Sequence, residues 1–207
     1  MSCAEFLSRF SPVPIRRRGH DAWRCACRTG LLVAAMLAAP AVLAFDYEIE
    51  IDKTARLLMV RAGEQVLKTF RVAVGRGGTG DKVKRGDRKT PIGTYRIVGF
   101  NDSSKFDTFV RLNYPNIKDA YYGLRNAVIS RPEFDRILAA LRAGDLPPQN
   151  TALGGAIGIH GIGEETPDKL LIHDNLDWTE GCIALRNAEL HELKAFLGVG
   201  TRVVIRE

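Results

Sequence analysis

The sequence predicts a mainly β protein with a few helices: one domain over residues 45–207 behind a leader at residues 1–44. Three observations predict it. Apolar and polar residues alternate through "YEIEIDKTARLLMVRAGEQVLKTFRVAVG", from Tyr47 to Gly75, with the period of half-buried strands. Two stretches, Arg131 to Gly144 and Asn187 to Gly200, space their apolar residues as helices do. The 163 residues after Ala44 suit a single core, and no repeat, low-complexity tract or linker divides them.

The leader comes first. Arg16, Arg17, Arg18, Arg24 and Arg28 precede the apolar stretch "GLLVAAMLAAPAVLA", Gly30 to Ala44. That stretch falls short of the roughly 20 residues a membrane span needs, and it ends in the small-residue pattern Val42-Leu43-Ala44. The expectation is a signal peptide cleaved after Ala44 and export to the periplasm, with no membrane span left after cleavage. Cys25 and Cys27 would leave with it.

The mature chain then reads in order. Breaks at Asp52-Lys53 and Ala62-Gly63-Glu64 cut the alternating run into a three-stranded meander. "GRGGTG", Gly75 to Gly80, fits a dinucleotide-binding spacing, but Gly86, Pro91 and a dense charge run deny it the helix such a site requires. It is expected to be a mobile basic loop. Thr90 to Phe100 forms a further strand, and Asn101 to Asn150 reads as loop except for the helix at Arg131, which Gly144 stops. "GGAIGIHG" reads as a strand ending at His160, and "KLLIHD" as another with Leu171 and Ile172 buried. Asn187 is expected to cap the second helix, Gly198 or Gly200 to close it, and "TRVVIRE" to add the last strand.

Charge excludes one class of function. Of 30 Lys and Arg, 24 lie after residue 44, against 22 of the 24 Asp and Glu, a net charge near +2 that leaves no nucleic-acid footprint. Cysteine usage suggests another. Cys182 is the only cysteine after Cys27, in a chain expected to be exported, where thiols normally pair. A surviving thiol fits a nucleophile, which needs a base beside it and amides facing the oxyanion. Gly181 permits a tight turn that aims the amides of Gly181 and Cys182 into one space. His160, flanked by Gly158 and Gly161, and His173, nine residues before the thiol, are the two candidate bases; His191 reads as a surface residue. A three-ligand zinc centre of His160, His173 and Cys182 and a non-catalytic binding module are the rival classes.

"IHG" at 159–161 followed by "TEGCI" at 179–183 resembles the signature of the L,D-transpeptidase (YkuD) catalytic domain. "GDRKTPIGTY", Gly86 to Tyr95, is similar to the branch of that family with GD-x-[KR]-TP-x-G-x-Y. The resemblance implies a YkuD-like β-sandwich acting on peptidoglycan stem peptides. Cys182 would be the nucleophile, His160 the base, Gly161 the source of a carbonyl that orients the imidazole, and Gly181 an oxyanion donor with Cys182. It also implies an acyl-thioenzyme passed to an amine of a second stem or of a wall-linked lipoprotein, or to water in a hydrolase that trims stems or releases lipoprotein; no cofactor or metal is implied. Two departures stand out. Glu180 occupies the place of the family's usual second histidine, where it is expected to face solvent or a substrate ammonium. Ala184 occupies that of an arginine, so Arg186, two positions on, becomes a substrate-binding candidate together with Thr179.

Overall fold

The computed structural model describes residues 47–207; the leader expected at 1–44 lies outside them. The meander forms as the alternation predicts: β1 (Tyr47–Asp52), β2 (Leu57–Ala62) and β3 (Gln65–Arg71) pair antiparallel in sequence order. The β1–β2 turn closes on Asp52, whose carboxylate accepts the Ala55 amide at 2.7 Å, and passes through Arg56 at φ 56°. The closing strand, β8 (Arg202–Arg206), lies parallel to β1 and antiparallel to β4 (Gly93–Ser104).

The long β4 serves two partners. Its first residues, Gly93 to Arg96, pair with β8, and a register break beyond Ile97 turns the rest onto β5 (Asp107–Leu112). β6 (Gly158–His160) pairs antiparallel with β5, and β7 (Ile183–Ala184) parallel with β6, giving the order β3-β2-β1-β8-β4-β5-β6-β7. Residues following β3 return to the far edge, where Ala73 bridges Ala184 and Gly75 bridges Thr179. The sheet thus folds over itself as a sandwich. Its core draws Ile49, Ile51, Leu58 and Val203 from one half and Val110, Ile159, Ile183 and Leu185 from the other. Each such side chain contributes about 1.5–3 kcal/mol by leaving water.

A satellite layer holds α1 (Ile117–Arg125) and α2 (Arg131–Ala143), packed through Ala120, Ile129, Ile137 and Leu153. Asn116 with Asp119 and Ser130 with Glu133 form capping boxes at their N-termini, and Gly144 ends α2 at φ 76° as the sequence predicts. α1 and β5 correct the reading of Asn101 to Ser130 as loop. The buried side of α1 is Asp119, Ala120 and Gly123 with Leu124 packed beside them, while Ile117, Tyr121 and Tyr122 face outward, so its largest apolar residues are split between the two faces.

Residues 169–174 need a second correction. They belong to α3 (Pro167–Asn175), not to a strand: Thr166 caps it by accepting the Lys169 amide, and Pro167 opens it. Leu171 and Ile172 are 65% and 44% exposed, whereas His173 is 3% exposed, the reverse of the expected burial. The last helix, α4 (Asn187–Leu193), begins one residue earlier than expected: Arg186 occupies the cap and Asn187 the first helical position. A short 3-10 turn, Lys194–Phe196, follows it. The segment from Arg76 to Ile92 forms no helix, in keeping with Gly86, Pro91 and its dense charge.

Candidate active site

His160 ends β6 and is only 2% exposed. Its Nδ1 lies 2.7 Å from the Gly161 carbonyl oxygen. A carbonyl only accepts, so Nδ1 carries the proton and Nε2 keeps the lone pair that a general base needs. Phe106, from the β4–β5 turn, stacks on the ring at 4.4 Å, Phe109 lies 6.1 Å away nearly parallel, and Trp178 stands edge-on at 5.8 Å. Burial among these rings pushes the imidazole pKa down, and nearby His173 adds to it; the Gly161 hydrogen bond opposes both. The imidazole is therefore neutral at pH 7.

Gly161 is required by space. A Cβ there would meet Asn187 Oδ1 at 2.4 Å and the Phe106 carbonyl at 2.7 Å. Asn187 is the residue that sequence reading misplaced as a helix cap. Its Oδ1 accepts the amides of Ile162 at 2.9 Å and Gly163 at 3.2 Å, and its Nδ2 donates to Gly163 O at 2.7 Å. It holds the loop whose carbonyl orients His160.

Cys182 sits immediately before β7. The parallel register sets Ile183 against Ile159 and Ala184 against His160, which brings Cys182 beside Gly158 on the face that His160 shares. The thiol donates to the Ala156 carbonyl at 3.3 Å. Burial pushes its pKa up to about 11, with the Gly158 backbone and the Lys82 ammonium pulling the other way. By surface area Cys182 is only half-buried, which is the better measure of whether a substrate carbonyl can reach it, while crowding around the sulfur governs its proton. The resting pair is neutral thiol and neutral imidazole, and the thiol's hydrogen bond goes to Ala156 rather than to the ring.

The turn before the thiol differs from expectation in two ways. Gly181, at φ 128° and with the Lys89 carbonyl 2.7 Å from where a Cβ would lie, is fixed as glycine, but its amide donates to Thr179 Oγ1 at 3.1 Å. It is therefore not an oxyanion donor in this conformation. Thr179 is 3% exposed and its hydroxyl donates to Cys182 O at 2.7 Å, so it builds the turn and has no hydroxyl left to contact a substrate. Arg186 pairs with Asp174 at 2.6 Å, which turns its guanidinium to the neighbouring helix instead of to a substrate carboxylate. Glu180 does point outward, as expected, and is bound by Arg76 and, at 3.4 Å, by Arg88. Those guanidiniums neutralise the carboxylate that would otherwise disfavour a thiolate two residues away.

The charged segment before β4 lies against the turn that carries the thiol, with the Lys89 carbonyl next to Gly181. Burial would raise the Asp87 carboxyl, but hydrogen bonds from Lys82 at 2.7 Å and from the amides of Val83, Lys84 and Lys89 outweigh it and hold the pKa down. Thr90 Oγ1 accepts the Gly75 amide at 2.8 Å, tying this segment to the strand edge beside Thr179. Among the described residues no three His, Cys, Asp or Glu side chains are placed to hold a metal, so His160, His173 and Cys182 do not form the rival zinc centre.

A model of the YkuD L,D-transpeptidase catalytic domain matches residues 46–205. Among solved structures, the helical cell shape determining protein Pgp2 from Campylobacter jejuni is 23% identical at a TM-score of 0.52, covering 78% of this chain and 48% of that one. Bd1075 from Bdellovibrio bacteriovorus is 23% identical at 0.47 over 78% and 48%. An L,D-transpeptidase from Mycobacterium smegmatis is 12% identical at 0.45 over 78% and 59%. The chain spans about half the length of the first two, and at these identities the likeness concerns the fold. No curated protein matches the chain. The family model covers most of the chain, and on that match the chain belongs to the YkuD L,D-transpeptidase catalytic domain family.

Proposed function

We propose that this protein is an exported cysteine L,D-transpeptidase that remodels peptidoglycan through an acyl-thioenzyme on Cys182. The observation that supports it is the parallel β6–β7 pair, which sets Cys182 and His160 one step apart on a common face, with Gly161 O fixing the imidazole tautomer. A thiol with a pKa of about 11 is only roughly 10⁻⁴ ionised at pH 7, so the sulfur needs a base during attack.

In this reading the thiol turns from Ala156 O toward His160 Nε2, which takes its proton as sulfur attacks the carbonyl of the third residue of a stem tetrapeptide. The developing oxyanion faces the Cys182 amide. Collapse breaks the amide bond, the imidazolium returns the proton to the departing D-alanine amine, and a thioester remains. An amine of a second stem then attacks the thioester, regenerating the thiol. The basic and apolar leader at 1–44 supports a periplasmic location for this chemistry, with cleavage after Ala44.

Mass spectrometry of the full chain after incubation with disaccharide tetrapeptide tests the reading. A mass gain equal to the disaccharide-tripeptide acyl group on Cys182, with release of D-alanine, is the expected result, and 3-3 cross-linked dimers identify the acceptor as a second stem. Turnover of the tetrapeptide by a Cys182→Ala variant would refute the reading.

A further inference from the structure

His173 has no part in the chemistry above, yet it is a buried, titratable side chain beside the site. Its Nδ1 accepts the Trp178 indole N–H at 3.3 Å, and that indole stands edge-on to His160 at 5.8 Å and 73°. The remaining ring contacts of His160, Phe106 and Phe109, come from the β4–β5 hairpin and hold no titratable partner of this kind. Among these ring contacts of His160, Trp178 is the one hydrogen-bonded to a titratable side chain.

The stretch presenting Trp178 is itself clamped. Arg56 donates to the carbonyls of His173 at 2.9 Å and Leu176 at 3.1 Å, and its Nε lies 3.1 Å from Asp177 Oδ1 as a charge pair without hydrogen-bond alignment. Asp177 Oδ1 also accepts the Val74 amide at 3.0 Å. Beyond Trp178 the Thr179 amide donates to Val74 O at 3.2 Å, so the backbone is fixed on both sides, and the indole N–H donates to His173.

We propose that His173 is a positioning residue for the base: it holds Trp178 against His160, and protonation of His173 releases that wall. A protonated imidazole donates at both nitrogens and cannot accept the indole N–H. The groups facing His173 divide: Asp174 and Glu165 favour its protonated form, Arg186, Arg56 and burial oppose it, and His160 lies across Trp178. Burial leads, so the folded pKa lies below the ordinary 6.5, and the neutral, indole-accepting form prevails at pH 7.

The proposal rests on His160 acting as the base, and its test separates the two. The sequence has two tryptophans, Trp23 and Trp178, so a full-chain Trp23→Phe background leaves Trp178 as the only indole. Its emission is expected to titrate with a midpoint below pH 6.5, to keep titrating in His160→Gln, and to lose the titration in His173→Gln. Acylation by tetrapeptide should drop roughly tenfold in His173→Leu, within the hundredfold that a small misplacement can cost, through kcat more than KM. His173→Gln, which keeps an acceptor oxygen, should recover most of that loss while its acid limb reports His160 alone. Pursuing both variants guards against misfolding of the leucine form. Emission that is flat from pH 4 to 8 in the native His173 background, or a titration that follows His160→Gln, overturns the proposal. Absence of turnover with intact emission titration overturns the transpeptidase reading instead.

Discussion

The two ends of the sheet are built by different means. At one end, β1, β2 and β3 run six or seven residues each and are held by long ladders, unbroken between β1 and β2 and shifted once, at Val60–Arg61, between β2 and β3, with β1 and β2 facing an aliphatic core. At the other, β6 and β7 have three and two residues, too few for their ladder to fix them. Side chains reaching backbone groups take its place: Asn187 on the Ile162–Gly163 loop, Thr179 on the Cys182 turn, Asp177 on Val74 and Thr90 on Gly75. A ladder stabilises by repetition and tolerates the loss of a member. A set of single clamps fixes the backbone of the candidate site at defined points, each answerable to one residue.

Five substitutions break or sharpen that contrast, from the largest effect down. Cys182→Ala should abolish acylation, a loss on the order of 10⁴-fold or more, with the melting temperature nearly unchanged. His160→Gln should lower kcat/KM by roughly 10²–10⁴-fold and remove the main acid limb. That limb in the parent should have its midpoint below 6.5, because burial lowers the imidazole pKa: activity holds above the ordinary histidine value and falls as pH drops through the folded one. Stability follows the same direction, with the neutral ring's full contribution above pH 6.5 lost as acid forces a charge into its site.

The next pair sets one end against the other. Ile49→Ala, at the ladder end, should cost about 2–5 kcal/mol in chemical denaturation while leaving kcat/KM unchanged below the transition. Asn187→Ala, at the clamp end, strands the Ile162 and Gly163 amides and should cost only about 1–3 kcal/mol, yet lower acylation roughly tenfold. If Asn187→Ala were catalytically silent, the contrast between the two ends would fail. Glu180→Gln is the mildest: its ion pairs are exposed and worth about 0–1 kcal/mol, so stability should stay within that range and the rate of Cys182 alkylation by iodoacetamide should change by less than about twofold.

How much of this was legible depends on how local each signal is. The meander, α2 with its Gly144 stop and the closing strand follow from spacing within a few residues. α3 did not, because Leu171 and Ile172 face solvent while His173 is buried, and a burial pattern inverted in this way reads as a strand. Thr166 followed by Pro167 was the signal that would have found it. At the candidate site, Cys182 and His160 stand out by residue chemistry, and Gly161 through the family resemblance. Asn187, Trp178 and Phe106 do not, since each reaches His160 or its loop from another element.

The sequence by itself determined the residue types: a lone thiol behind a glycine, a glycine-flanked histidine, and enough alternation to commit the chain to sheet. Only the tertiary structure decided which groups remained available for chemistry. It drew the Gly181 amide and the Thr179 hydroxyl into the turn, directed Arg186 to Asp174, and set a buried histidine behind Trp178. The physical reason is that a polar group's partner is chosen by the fold: a donor bound to its own turn cannot serve a substrate, and no count along the chain shows which donors those are.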